Sequence, residues 1–198
     1  MLAAWRRAQR LGFLGPGPVE EHLRHADVFR AAVPSPDFAI DLGSGGGVPG
    51  LALAVWWPES RWVLLDAGDR RTVFLEDAVR ELELRDRVEV MRSAAEDAGR
   101  RPEMRGRFDL VVARSFGAPA VVGECGAPFL REGGALLVAE PPGSDSSRWP
   151  ADRLRELSLE DEGCVQQDGG TVRVLRQIRL VSDDIPRRAG VPGRRPRW

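Results

Sequence analysis

The run Asp41-Leu-Gly-Ser-Gly-Gly-Gly-Val-Pro-Gly50 constrains the fold of this chain more tightly than any other stretch. Its glycines let the backbone turn sharply and come close to a ligand without interference from Cβ atoms. The helix that begins behind them turns its free N–H groups toward the same space. The run grows out of Phe38-Ala-Ile-Asp-Leu42, an apolar stretch that reads as a short buried strand. It leads into an apolar helix from Val48 to about Trp57, which Pro58 stops. A strand, a glycine turn and a helix in this order open an α/β sheet.

The remainder keeps the same rhythm. Arg61-Trp-Val-Leu-Leu-Asp66 is a second buried strand, and the helix from Asp69 to about Leu84 sets Phe74, Ala78 and Leu82 beside Leu75 and Val79 on one face. Val88-Glu-Val-Met91, Phe108-Asp-Leu-Val-Val-Ala113 and Ala135-Leu-Leu-Val-Ala139 supply three more strands. A short helix is expected near Ala94 and another from about Pro119 to Leu130, and Gly133-Gly134 turns into the fifth strand. The pattern then changes, because Gly163 to Gln167 and Thr171 to Leu180 flank Asp168-Gly169-Gly170, a hairpin signal rather than a helical crossover. The expected fold is α/β, a seven-stranded Rossmann-like sheet that closes with a C-terminal hairpin. Pro141 to Pro150 reads as a loop after the fifth strand. In such a sheet, ligands sit at the carboxyl ends of the strands.

Composition narrows the setting. A chain of 198 residues suits one domain, here 1–198, with a helical extension over 1–37 and a basic tail over 181–198. With 42% hydrophobic and 30% charged residues, neither disorder nor a fibrous repeat fits. No apolar run approaches the roughly 20 residues of a bilayer crossing. The first ten residues lack the apolar core of a secretory signal, so a cytoplasmic location without membrane attachment is expected. Cys125 and Cys164 lack a Cys-x-x-Cys spacing and read as reduced, packed residues. His22 and His25 are three residues apart on an expected helix but have no accompanying ligand set, so no metal site is expected.

The acids around the glycines separate two cofactor classes. Gly45-Gly-Gly-Val-Pro-Gly50 satisfies G-x-G-x-x-G, which brings a dinucleotide into consideration. Asp66, at the end of the second strand, suits the ribose hydroxyls of any adenosine and serves NAD and S-adenosylmethionine alike. Asp41 discriminates: an acid just ahead of the glycines repels a pyrophosphate but stabilises the cationic methionine end of S-adenosylmethionine, directly or through water. The other reading of Asp41 is a cap on the turn. Ser93-Ala-Ala-Glu-Asp97 follows the third strand, either beside an adenine edge or as an ordinary helix start. Arg114, at the mouth of the fourth strand, reads as a contact to phosphate, carboxylate or acceptor, or as an exposed side chain without a partner. All 29 basic residues are arginine, and the closing Pro186-Arg-Arg-Ala-Gly-Val-Pro-Gly-Arg-Arg-Pro-Arg-Trp198 contains no acid. That segment suits phosphate oxygens, or is a solvated end.

These motifs together resemble the glucose-inhibited division protein B family, whose members methylate guanine N7 in small-subunit ribosomal RNA. The likeness runs from Leu14-Gly-Pro16 and Leu23-Arg-His25 through the glycine run, Leu64-Leu-Asp66 and Arg71-Thr-Val-Phe-Leu75. It continues to Ala113-Arg-Ser-Phe116 and the closing Pro186-Arg-Arg-Ala-Gly-Val-Pro192. The resemblance implies a class I S-adenosylmethionine-dependent methyltransferase. In it Gly43, Gly45 and Val48 contact the cofactor, Asp66 holds the ribose, Ala95 and Glu96 flank the adenine, and Arg114 lies between cofactor and acceptor. It also implies ribosomal RNA or the small subunit as partner, with Arg187, Arg188, Arg194 and Arg195 on the RNA surface. The chain departs from the family pattern at Ala94, where arginine is usual, at Glu140-Pro141 in place of Lys-Gly, and at Gly15-Pro16-Gly17-Pro18. Each departure removes positive charge near the expected acceptor cleft. They keep two further readings open: a methyltransferase of the same fold with another acceptor, and a non-catalytic RNA-binding protein. The expected chemistry needs alignment rather than a general base, so no catalytic residue is nominated.

Overall fold

The computed structural model describes residues 2–198. Two helices, α1 (Leu2–Arg10) and α2 (Val19–Ala32), precede the sheet. The alternating part follows as β1 (Phe38–Leu42), α3 (Gly50–Trp56), β2 (Arg61–Asp66), α4 (Asp69–Glu81), β3 (Val88–Arg92), α5 (Ala95–Gly99), β4 (Phe108–Ala113), α6 (Pro119–Gly126) and β5 (Leu130–Glu140). After it come α7 (Ala151–Glu156), the hairpin strands β6 (Leu159–Gln167) and β7 (Gly170–Gln177), and the single turn α8 (Val191–Arg194). The seven strands lie in the order β3-β2-β1-β4-β5-β7-β6. β1 to β5 run parallel, and β7 is antiparallel to both β5 and β6. The expected seven-stranded α/β sheet with its closing hairpin is present.

Side-chain alternation explains the layering. Successive residues of a strand face opposite sides. Trp62 and Leu64 of β2, with Ala135 and Leu137 of β5, join the core beneath α1 to α4. Val63 and Leu65, with Leu136 and Val138, join the core beneath α5, α6 and α7. Burial on both faces is why these strands read as continuous apolar runs. β1 is paired to β2 on one side and β4 on the other, so helices leave its two flanks in opposite directions. The crevice this opens at the carboxyl end of β1 is the usual ligand position in such a sheet.

Several boundaries differ from the sequence expectation for local reasons. β5 begins at Leu130 rather than Ala135, because Leu130 pairs with Phe108 before the register shifts. Gly134 lies in that irregularity, and a Cβ there would stand 2.9 Å from the Phe108 carbonyl oxygen. The helix expected to reach Leu130 stops at Gly126 and tightens into a 3₁₀ turn, Ala127–Phe129, around Pro128. α7 was not expected; it is two turns long and anchored by the buried Leu154, too short to display a helical period. Cys125 is buried as expected, and burial pushes its thiol well above the ordinary range, whereas Cys164 is exposed rather than packed.

The basic tail is a docked segment. Val181, Ile185 and Pro186 are buried, and Arg187 donates its backbone N–H, Nε and Nη2 to the Glu124 carboxylate of α6 at 2.9, 2.7 and 2.5 Å. Arg197 stands 3.3 Å from the same carboxylate. Burial would raise the Glu124 carboxyl, but the bonds and charge from Arg187, with Arg197 behind them, outweigh it and hold the group below its ordinary value. Arg187, read from sequence as part of an RNA surface, is therefore committed to an internal ion pair. Arg188, Arg194 and Arg195 remain exposed.

Candidate cofactor site and its neighbouring cleft

At the carboxyl ends of β1, β2 and β4 lies a cavity of about 510 Å³, within the usual range for a nucleoside-sized ligand. The glycine loop forms its floor. Gly43, Gly45 and Gly47 take left-handed backbone angles, φ 67°, 53° and 81°, which side-chain-bearing residues rarely adopt. At Gly43 the demand is doubled, because a Cβ would stand 2.9 Å from the Phe116 ring. Ser115, itself at φ 56°, makes the turn after β4 that brings Phe116 there. Val48 completes the floor, and Ala95 and Glu96 of α5 and Arg114 form the walls.

Asp66 is the best-connected group in the cavity. Its side chain is only 3% exposed. Oδ2 accepts from the Gly45 N–H at 2.9 Å, and Oδ1 accepts from the Gly68 N–H and Arg71 Nε, each at 2.8 Å. The first of these bonds bears on which cofactor class the loop suits. A pyrophosphate bound in a glycine loop needs the loop's free N–H groups. Here Gly45 gives its N–H to a carboxylate, so a pyrophosphate would meet a negative charge at the point of contact. The space above the loop is open, since glycines supply most of the floor, and it is flanked by Asp66 and Glu96. That arrangement fits a cationic nucleoside with ribose hydroxyls to donate.

Asp41 does not share this cavity. It is 1% exposed and stands behind the loop, where Oδ2 accepts from the Gly50 N–H at 3.0 Å at the start of α3. A Cβ on Gly50 would lie 2.5 Å from the Asp41 side chain, so β1 and α3 touch at this point. This is the turn-capping arrangement, and Asp41 is absent from the cavity lining, where a direct contact with a methionine end was expected. Burial lifts its carboxyl to about 7, against the lowering effect of the Gly50 hydrogen bond. The other seven residues expected at the cofactor, Gly43, Gly45, Val48, Asp66, Ala95, Glu96 and Arg114, all line the cavity.

The sequence reading passed over one wall. Phe13, Leu14 and Gly15, between α1 and α2, close the cavity from above, and a Cβ on Gly46 would stand 2.8 Å from the Phe13 carbonyl oxygen. The Leu14-Gly-Pro16 turn was the only sign of this, and it named no ligand contact. Glu96 also has a partner no local pattern could disclose, because its Oε1 accepts from the Gly190 N–H of the tail at 2.9 Å.

Arg114, Ser115 and Phe116 separate this cavity from a second one of about 550 Å³. The second is lined on its far side by His22 and His25 of α2 and by Val138 to Pro141 and Arg148. Arg114 Nη1 is 3.4 Å from His22 Nδ1, while His22 Nε2 meets the Gly15 carbonyl at 3.0 Å. His25 Nδ1 meets the Gly169 carbonyl at 2.9 Å, and burial lowers its ring below the ordinary value in spite of that bond. Glu140, one of the departures noted in the sequence, does not aim its charge into the cleft. Its side chain is fully buried, accepts from Arg148 Nη1 and Trp149 Nε1, and lies 3.5 Å from Arg173 Nε. Among the described residues no group of three or more His, Cys, Asp or Glu could hold a metal ion.

A family model described as rRNA small subunit methyltransferase G matches residues 19–142. The protein of that name from Prochlorococcus marinus (strain NATL1A) is 32% identical over 186 residues, covering 90% of this chain and 72% of its own. The one from Parasynechococcus marenigrum (strain WH8102) is 38% identical over 165 residues, covering 80% and 66%. Among solved structures, the antibiotic-resistance methyltransferase Kmr superposes with a TM-score of 0.60 at 16% identity, over 78% of this chain and 93% of its own. At that identity the superposition speaks for the fold alone. The match over residues 19–142 spans the glycine loop, Asp66, Glu96 and Arg114, and it makes this chain a member of the rRNA small subunit methyltransferase G family.

Proposed function

We propose that the protein transfers the methyl group of S-adenosylmethionine to N7 of a guanine in small-subunit ribosomal RNA. The observation that carries the reading is the Asp66 carboxylate, fixed by the Gly45 N–H above an open glycine floor. In this reading Asp66 accepts the ribose hydroxyls, Ala95 and Glu96 border the adenine, and Gly43, Gly45 and Val48 form the seat of the methionine part. Arg71 is 45% exposed and shares Asp66 Oδ1, so it gives way to a hydroxyl at small cost.

When bound, the cofactor supplies an electrophilic methyl on a sulfonium. Guanine N7 has a lone pair in the ring plane, outside the aromatic sextet, so no proton need be removed. The chain's own task is alignment and exclusion of water. Arg114, Ser115 and Phe116 stand between the two cavities and set how a base in the second approaches the first. Asp66 and Glu96 favour a cationic reactant, and the charge that leaves the sulfur appears on the purine. The family relatives carry the ribosomal RNA in their name, and the exposed Arg188, Arg194 and Arg195 offer phosphate contacts beside the site.

The test is incubation with labelled S-adenosylmethionine and small subunits from cells lacking the family enzyme. Label on one guanine, released by chemistry selective for 7-methylguanine, is the expected result. Transfer to another acceptor, or none, would overturn the assignment.

A further inference from the structure

The second cavity has one cation besides Arg114 whose position is fixed from three directions. Arg148 lies in a short 3₁₀ turn, Ser146–Arg148, capped by Asp145, whose Oδ1 accepts from the Ser147 N–H at 2.8 Å. Its carbonyl accepts from Trp198 Nε1 at 3.1 Å, and its neighbour Trp149 is 3% exposed. Its guanidinium is tied through Nη1 to Glu140, which is itself held by Trp149 Nε1 and flanked by Arg173. Arg173 in turn pairs with Asp161 at 2.5 Å. The buried carboxylate is thus neutralised within the protein and acts as an anchor.

A guanidinium has five N–H donors in a rigid fork, and this one spends a donor on Glu140. Arg148 is 33% exposed and faces the cavity that adjoins the cofactor site. A long side chain normally loses rotamer freedom when it grips a ligand. Here anchoring has removed that freedom beforehand, which strengthens the contact it goes on to make. The wall around it is apolar at Val138, Ala139 and Pro141, and the acid among them, Glu140, has a fully buried side chain already paired with Arg148 and Arg173.

We propose that Arg148, positioned by Glu140, grips a backbone phosphate of the acceptor RNA strand in the second cavity. The proposal rests on the RNA reading above and adds a residue to it. The phosphate is favoured over the guanine edge because an arginine fork on guanine takes O6 and N7 together, and N7 must stay free to receive the methyl.

The experiment is the salt dependence of RNA binding by the intact protein, for wild type, Arg148→Gln and Arg148→Lys, with S-adenosylhomocysteine affinity as a check on folding. The substitution to glutamine is expected to weaken RNA binding about tenfold. It should also flatten the logarithmic salt slope by about 0.7, the value for one phosphate on a single strand. Lysine, which keeps the charge, should restore the slope. An unchanged slope in Arg148→Gln overturns the proposal, whether or not affinity falls. A second measurement uses the wild type alone. RNA should protect Arg148 from an arginine-selective dicarbonyl reagent, and S-adenosylhomocysteine should not; equal labelling with and without RNA also overturns it. Wild type that binds and methylates no RNA would refute the underlying function instead, so the two failures are distinguishable.

Discussion

Three donors already converge on Asp66, from Gly45, Gly68 and Arg71, so the carboxylate is oriented before any ligand arrives. Asp66→Ala should weaken cofactor affinity at least tenfold, because hydrogen bonds to a charged acceptor are worth about 1.5–3 kcal/mol each. Calorimetry would detect it. Asp41 is the opposite case, a buried acid whose proton is held more tightly in the folded protein than in the unfolded chain. With a folded value near 7 against 3.8, the native state binds more protons between those pH values, so stability falls as pH rises through that window. Asp41→Asn keeps an acceptor for Gly50 and removes the titration. Its melting temperature should vary less between pH 4.5 and 8 than that of the wild type, and parallel curves would show that Asp41 does not titrate there. The difference between these two acids explains what was legible in the sequence. Both stand at strand ends beside glycines, and only the three-dimensional path of α3 turns one of them away from the cavity.

Elements built on local periodicity were legible, and those fixed by distant contacts were not. The parallel strands announced themselves as apolar runs, because two helical layers bury them. α7 and the N-terminal wall at Phe13 to Gly15 have no period to read, since their places are set by what they cover. Close approach between elements gives a direct test. Gly50→Ala forces a methyl against Asp41 where β1 meets α3, and should cost about 1–3 kcal/mol in urea denaturation. The tail was legible as charge and misread as to its attachment, because Glu124 lies far away in sequence and gave no sign of being its partner. Glu124→Gln strips the carboxylate from Arg187 and Arg197. It should destabilise the protein by about 2–4 kcal/mol and speed amide exchange across residues 186–197. Exchange unchanged there would mean that other contacts hold the tail.

Across the whole molecule, two cavities share one wall at the carboxyl edge of the sheet, and elements from both chain ends close over them. Phe13 to Gly15 reach the first from the N-terminal side, and Gly190 reaches it through Glu96 from the C-terminal side. The wall of the first cavity and the docked tail therefore meet at one carboxylate, Glu96. The departure at Glu140-Pro141 adds no free negative charge to the second cavity, since Glu140 is paired with Arg148 and Arg173 while Arg148 stands at the cavity wall. The account depends most directly on what the glycine loop holds. Titration of the wild type with S-adenosylhomocysteine and, separately, with NAD should give one saturable site for the first and none for the second. Saturable binding of NAD at the loop, or no binding of S-adenosylhomocysteine by folded protein, would contradict it.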